Sequence, residues 1–478
     1  MKPLEHLRGY LQRPLVRPWA LAGPVLVLIV CLPLLHPLRE PDWHKWHDQQ
    51  QMLASTIQAV VEQHSLAIDK SVFAANPVVS HNNGHIYSPY PPMFAVLMAP
   101  FYWVLLKQGL AYGDNPIFVQ YVLTFIGASL PAAMCVGLVY RLARLFELQR
   151  PLRVALGVAA VATTGILSYS VVLSSYVPAA LLLLLATSFI SHLAVSNRPS
   201  RRSLLAVLAG FSAALAAAID PPAVLPAILL CSVLLAMRWS GSMRASVVLL
   251  YILGAAPVVL LNISLLLTAG IPLRPSLMGE MPTAMPQVVG TSGDTLSAQV
   301  KQVTPLPDEL DDGEPAGVVA WWNRISGWIG RILERLIGSH GVLSHYPAIV
   351  LGIIGATLAL HRHWIATTKA LAVIVIIASL LLVVAYAFRD EPRDRSYGAV
   401  WFLSISPLVM LWSGVWLKRH HRPQSWVLAG IAAGFGLVVT AVGMTNPMPR
   451  DGYSGYSFAD AAMHLIGKDH SQTTPPKR

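Results

Sequence analysis

Residues 92–107 read PMFAVLMAPFYWVLLK, and residues 140–153 read YRLARLFELQRPLR. The first stretch is apolar but only about 16 residues long, short of the roughly 20 that a membrane-crossing helix needs, and Pro100 is expected to break it. The second is rich in arginine. If 92–107 crossed the membrane, 140–153 would face outward. If it lies on the outer surface as an interfacial helix, 140–153 faces the cytoplasm.

The remaining charges choose between these layouts. Apolar runs mark spans near 19–38, 116–140, 153–171, 176–195, 203–219, 221–237, 245–268, 343–360, 366–388, 397–417 and 425–444. With the N-terminus inside and 92–107 not spanning, the cytoplasmic pieces are 1–18, 141–153, 196–202, 238–244, 361–369 and 418–424. These short pieces hold 18 of the 34 Lys and Arg residues and only two of the 23 acids, Glu5 and Glu147. Such asymmetry is the positive-inside pattern. It predicts an all-α polytopic membrane protein of about 11 transmembrane helices, N-terminus in the cytoplasm and C-terminus outside, in the plasma (bacterial inner) membrane. Residues 1–19 are not expected to be a cleavable signal, because no small-residue cleavage site ends the apolar run that follows.

Composition agrees. Hydrophobic residues make up 55% of the 478, charged residues 12%, and mean hydropathy is +0.56. A chain with about half the usual charged fraction cannot cover a water-facing surface, which excludes a soluble enzyme. The opposite argument excludes a disordered chain. Cys31, Cys135 and Cys231 all lie in apolar runs, so neither a disulfide framework nor a CxxC metal site is available. The net charge of +11 divides into +16 on the cytoplasmic pieces and −5 elsewhere. It records insertion and does not mark a nucleic-acid surface.

The chain then divides into a cytoplasmic N-terminus and first span (1–38), a first outer loop (39–115), spans two to seven (116–268), a second outer loop (269–342), spans eight to eleven (343–444) and an outer tail (445–478). The second loop passes from RPSLMGEMPTAMP through PDELDDGEP to WWNRISGWIGRILERLIG. In that last piece Trp321, Trp322, Ile325, Trp328, Ile329 and Ile332 recur at helical spacing, as in an interfacial helix. A short helix at 458–466 is expected in the tail.

Chemistry is densest in the first outer loop. Its helical periodicity runs from His47 to about Gln63, with Met52, Leu53, Ile57, Val60 and Val61 on one side. Asp48 stands at the start, where a helix favours a carboxylate. The plain reading is an N-cap, worth about 1 kcal/mol. Its place just beyond the first span, beside two His and two Trp, also lets it face a substrate in the outer leaflet. His44, His47 and Asp48 have i, i+3, i+4 spacing, but no familiar ligand motif accompanies them, so no metal site is assigned. Asp220, ahead of Pro221 and Pro222 at an outer turn, reads as a helix-end feature.

Taken in order, these residues resemble the GT-C membrane glycosyltransferases, specifically bacterial relatives of the protein O-mannosyltransferases and of the aminoarabinose transferase. The resemblance rests on His47-Asp48-Gln49-Gln50 opening a helix; on Ser65-Leu66-Ala67-Ile68-Asp69; and on Gly84-His85-Ile86-Tyr87-Ser88-Pro89-Tyr90-Pro91-Pro92 with Leu97 and Pro100. It extends to Ser168-Tyr169 through Tyr176-Val177-Pro178 and to Gly341-Val342-Leu343-Ser344-His345-Tyr346-Pro347. Two departures stand out. Gln49 occupies a place where a second carboxylate is common, which leaves Asp48 alone or with Asp42. The late segment is Tyr397-Gly398-Ala399-Val400-Trp401, without the internal Arg of relatives. The nearby cluster Arg389, Asp390, Glu391, Arg393, Asp394 and Arg395 stands in for it.

The resemblance implies transfer of a sugar from a polyprenyl phosphate to a glycan, lipid or protein acceptor at the outer face. Asp48 would be the catalytic base. Asp42, His47, His85, Tyr87, Tyr90, Arg393, Arg395 and Tyr397 would contact substrate, with Arg on the leaving phosphate. No cofactor is required, since the lipid-linked sugar is itself a substrate, and a divalent metal remains open. The competing readings are a non-catalytic GT-C-like scaffold, a transporter or flippase of lipid-linked saccharide, and a surface-polysaccharide polymerase or ligase. Neither the internal repeats nor the mid-membrane charges typical of transporters are present.

Overall fold

The computed structural model describes residues 18–39, 41–42, 46–73, 80–82, 84–196, 198–239, 241, 243–271, 318–338, 341–361, 364–387, 397–419, 423–445 and 447; side chains of 81 and 318–325 are outside the description. The described chain is helical apart from one small ribbon. Among the described residues, eight helices are long and apolar enough to cross a membrane. They are α1 (Pro18–Arg39), α4 (Pro116–Phe146), α6 (Tyr176–Val195), α7 (Pro199–Ile219), α8 (Pro221–Trp239), α9 (Ala245–Thr268), α12 (Ala366–Ala387) and α15 (Pro423–Thr445). Each coincides with an expected span.

The other three expected spans are not continuous. Residues 153–171 form α5 (Arg150–Ala162) and a single turn, Ile166–Tyr169. Residues 343–360 form a turn at Val342–His345 and then α11 (Ile349–Leu360). Helix α10 (Val318–Ile337) precedes them, and the piece Ser326–His345 meets α11 at a 96° bend. Counted as one span, that bent pair brings the total to nine. Residues 397–417 form a 3-10 turn at Val400–Phe402, α13 (Ser406–Leu411) and α14 (Ser413–Arg419). Gly165 explains the first break: its φ of +75° leaves the helical region, and a side chain there would collide with the Tyr346 ring. Broken backbone at membrane depth is tolerated where protein, not lipid, surrounds it. That holds here, since Thr163, Thr164, Ser168, Ser170 and the whole of α13 are buried.

Outside the bundle, α2 (Asp48–Gln58) continues as a π-turn to Gln63 and packs on α3 (Met93–Lys107). Pro100 does not break α3. It lies on the exposed face, where the missing backbone hydrogen bond disturbs no packing. At 15 residues, α3 is about 22 Å long, shorter than a hydrocarbon core of about 30 Å. Tyr102 of α3 donates to Glu62, and the Tyr112 amide donates to the Tyr102 hydroxyl at 3.0 Å, tying the loop to the interfacial helix. An antiparallel ribbon, β1 (Ser80–Asn82) with β2 (His85–Tyr87), completes the first loop.

The second-loop amphipathic segment is helix α10. Its Arg335 Nε donates to the Tyr386 carbonyl of α12 at 3.1 Å. Trp328, Ile329, Leu333 and Ile337 are exposed, while Ile332 and Leu336 turn to the core, the two-faced pattern of a helix at an interface. Residues 272–317 and the expected helix at 458–466 lie outside the described residues.

Candidate functional site

Helix α2 carries the site because of how it is buried. Ten of its eleven residues, Gln49 to Gln58, are buried, and only Asp48 is partly open. The N-cap is His47, not Asp48: His47 Nδ1 accepts from the Gln49 amide at 3.2 Å. Asp48 is therefore the first helical residue. Its carboxylate sits at the N-terminal end of the helix. Gln51 Nε2 donates to the Trp46 carbonyl at 2.8 Å, and Trp46, fully buried, stacks on Phe73 at 6.1 Å. The turn before Asp48 is thus pinned from both sides.

One residue further, Gln49 links the site to the bundle. Its Oε1 accepts from the Tyr176 hydroxyl at 3.2 Å. Tyr176 meets Tyr169 edge-on at 5.3 Å, and the Tyr169 hydroxyl donates to the Tyr397 carbonyl at 2.8 Å. Tyr397 is wholly enclosed; its hydroxyl donates to the Val439 carbonyl at 2.7 Å, and its ring meets His345 edge-on at 5.5 Å. The site residue expected at 397 is therefore held inside the bundle, a chain of four side chains away from Asp48.

The other expected residues divide into groups. His47 is buried next to Asp48, and Asp42 is half-buried on the approach to α2. Tyr90 is half-buried against Met52 and Ala59 of the α2 unit. Tyr87 instead packs with Leu66 against Leu266, Ala269 and Ile271 at the end of α9, where the second loop begins. His85 is exposed and bonded to Asp69 Oδ2 at 2.8 Å, while Asp69 Oδ1 accepts from the Ile86 amide at 2.8 Å. Burial opposes ionisation of Asp69, yet these two hydrogen bonds hold its carboxyl below the usual range. Arg393, Arg395 and His44 lie outside the described residues. Among the described residues, no group of three His, Cys, Asp or Glu could hold a metal ion.

Sequence reasoning missed three residues here. Arg39 ends α1 with an exposed guanidinium, one nitrogen donating to the Met444 carbonyl at 2.9 Å. Its neighbour His36 is buried, with Nδ1 lacking a partner among the described residues, and feels the charges of Arg39 and His47. The available signal for Arg39 was its position: an arginine just past a span on the outer side runs against the orientation rule. The third is Asp220, at the turn between α7 and α8. It is 1% exposed, and burial pushes its carboxyl up to about 7, with Ser404 partly offsetting the rise. Neither Asp220 Oδ2 nor Ser404 Oγ completes a hydrogen bond among the described residues, so Ser404 acts by proximity. More than a helix end, Asp220 is a buried acid.

Its effect on stability has a definite sign. Between about pH 4 and about 7 the folded carboxyl keeps a proton that the unfolded chain has released. Folding then binds the extra proton, so this contribution to stability falls as pH rises through that window. Asp220→Asn should therefore melt progressively higher than the wild type from pH 4 to 7, with the difference levelling off above 7. A difference that stayed flat across this range in detergent-solubilised protein would refute the assignment.

The fold has solved counterparts. The archaeal oligosaccharyltransferase AglB from Archaeoglobus fulgidus, in complex with an inhibitory peptide and a dolichol-phosphate, matches over 91% of this chain and 56% of its own, at TM-score 0.51 and 12% identity. The same oligosaccharyltransferase with Zn and sulfate matches over 90% and 54%, at TM-score 0.54 and 12% identity. ArnT from Cupriavidus metallidurans bound to undecaprenyl phosphate covers 88% of this chain and 62% of its own, at TM-score 0.49 and 14% identity. The chain shares its fold with the membrane part of these structures, the oligosaccharyltransferase AglB above all. This chain spans just over half the length of the oligosaccharyltransferase. No protein-family model matches the chain, and no curated protein matches it in sequence.

Proposed function

We propose that this chain is an integral-membrane glycosyltransferase that moves a sugar from a polyprenyl-phosphate donor to an acceptor at the outer membrane face. The observation that carries the reading is the placement of Asp48: the one partly exposed residue on an otherwise buried helix, directly after the His47 cap and next to Gln49, which bonds to Tyr176 of the bundle. A carboxylate so placed is equipped to act as a general base.

In this reading the acceptor hydroxyl or amine loses its proton to Asp48 as its oxygen or nitrogen bonds to the anomeric carbon. The bond from that carbon to the phosphate oxygen breaks, and the polyprenyl phosphate leaves with the electron pair. Arg39, whose charge acts on His36 as that of His47 does, is assigned to meet the developing charge, with Arg393 and Arg395 as further candidates. Asp42, His47 and Tyr90 would line the approach, Tyr87 packs at the start of the second loop, where the acceptor would be selected, and His85, bonded to Asp69, is a further candidate contact. A monophosphate leaving group needs no metal when arginines receive it. Inversion at the anomeric carbon is part of this reading, as the sequence resemblance implies. The protein would sit in the bacterial inner membrane with its N-terminus inside. A lipid-linked substrate is consistent with the dolichol-phosphate in the AglB complex.

One observation favours the alternative of a non-catalytic scaffold: the position for a second acid is Gln49, and its amide is committed to Tyr176. Lipid extraction separates the two readings. A deletion strain should accumulate a polyprenyl-phosphate sugar that the purified protein consumes. Absence of both accumulation and turnover would leave the scaffold.

A further inference from the structure

The ribbon of the first loop holds one imidazole in a fixed orientation. Residues 67–69 run beside β2: Ala67 bridges to Tyr87, and the Ile68 amide donates to the Ile86 carbonyl at 2.8 Å. Asp69 is thereby brought against His85, 16 positions away in the chain. Asp69 Oδ1 accepts from the Ile86 amide at 2.8 Å, and Oδ2 lies 2.8 Å from His85 Nδ1. A carboxylate only accepts, so the proton of the ring must sit on Nδ1. An exposed pair of this kind adds little to stability. Its consequence is chemical. In the neutral ring Nε2 keeps a lone pair, and among the described residues nothing bonds to it.

The surroundings place that lone pair. His85 pairs across the ribbon with Asn82. Asn82 in turn lies against Gly270 at the start of the second loop, where a methyl group would overlap its amide. Strand alternation puts His85 on the same side of β2 as Tyr87, which packs on Leu266, Ala269 and Ile271. Ile86, on the other side, packs on Met52 and Ala59 of the α2 unit. Met52 is one helical turn after Asp48. A molecule that touches both Asp48 and His85 must therefore be extended. The His85 side chain is 60% exposed, so it is reached from water and suits a polar partner.

We propose that His85 binds the acceptor and that Asp69 is its positioning residue: the Nε2 lone pair accepts a hydrogen bond from a hydroxyl of an extended glycan whose reacting group stands at Asp48. This rests on the glycosyltransferase reading above and specifies its acceptor.

Two measurements on the full-length protein test it. Nitrogen NMR of histidine-labelled protein at mildly alkaline pH, with His85→Ala identifying the resonance, should show His85 protonated on Nδ1 and bare on Nε2. Asp69→Asn keeps an oxygen for the Ile86 amide, but its own amide can donate to Nδ1. The proton should then move to Nε2, with the melting temperature unchanged. Transfer is followed with the lipid-linked sugar from a deletion strain as donor and soluble glycan released from that strain's envelope as acceptor probe. Asp69→Asn and His85→Ala should each raise the glycan concentration for half-maximal rate about tenfold, the worth of one hydrogen bond, and lower the maximal rate far less. Asp69→Asn/His85→Ala should be no worse than His85→Ala, because Asp69 acts only through the ring. The proposal fails if Asp69→Asn moves neither the proton nor the glycan requirement, if the double variant loses more than His85→Ala, or if the donor requirement rises instead. It fails alone if the wild type consumes donor but transfers nothing to glycan. A wild type that consumes no donor overturns the glycosyltransferase reading and this one with it.

Discussion

Asp48→Asn should lower sugar transfer by about 10²-fold or more, the usual contribution of a general base, while the protein still inserts and melts nearly as the wild type does. The two side chains are equal in size, so neither packing nor the His47 cap is disturbed. What changes is basicity: an amide cannot take the acceptor's proton. The lost interaction with the helix dipole costs about 0.3–1 kcal/mol for a partly exposed charge. The burial pattern of α2 is why such a clean separation is expected, since Asp48 is the one residue of that helix whose side chain is not enclosed. The measurement is turnover of a polyprenyl-phosphate-linked sugar by purified protein, beside a melting curve of each form. Full activity in the variant would remove Asp48 from the mechanism. A variant that lost activity together with its fold would make Asp48 a structural residue instead.

The largest effect on stability is expected at the crossing of α7 and α9, the most extensive helix contact among the described elements. Gly210 of α7 faces the Tyr251 carbonyl of α9, and Gly254 of α9 faces the Val207 carbonyl of α7. At both positions even a methyl group would overlap backbone, which cannot rotate away as a side chain would. Membrane helices associate through close van der Waals contact, not through exclusion of water, so small residues at a crossing carry much of the association. Gly210→Leu should therefore force the helices apart, at a cost at or above the roughly 1–3 kcal/mol typical of overpacking. It should lower both the yield of monodisperse protein and its melting temperature. Gly430→Leu on α15, where nothing lies within 4 Å, should do neither. Transfer should fall in Gly210→Leu as well, because Tyr87 and Leu66 rest on the end of α9. Equal behaviour of the two variants would mean that the crossing tolerates separation.

How far the sequence was legible depended on the kind of signal. Long apolar runs without interruption, such as 245–268, gave helices at the expected places. The runs 153–171, 343–360 and 397–417 were also predominantly apolar but formed broken backbone. Hydropathy reports whether a residue avoids water, not whether lipid or protein replaces it, and only lipid demands an unbroken helix. The start of α2 was found to within a residue. The identity of its cap was not, because Asp is a favoured cap and His is not; Trp46 and Gln51, by fixing the turn, gave the cap to His47.

The sequence by itself determined that this chain lives in a membrane, and its arrangement of charge supports one orientation. Both follow from transfer of single residues between water and lipid, a property each residue brings with it. Only the tertiary structure decided that Asp48 alone is partly open on its helix, that Tyr397 lies enclosed and bonded to Tyr169 and that Asp220 is a buried acid. Those facts depend on which segments pack together. Residues far apart in the chain acquire a shared chemistry only when the fold places them in the same few ångströms of low-dielectric space.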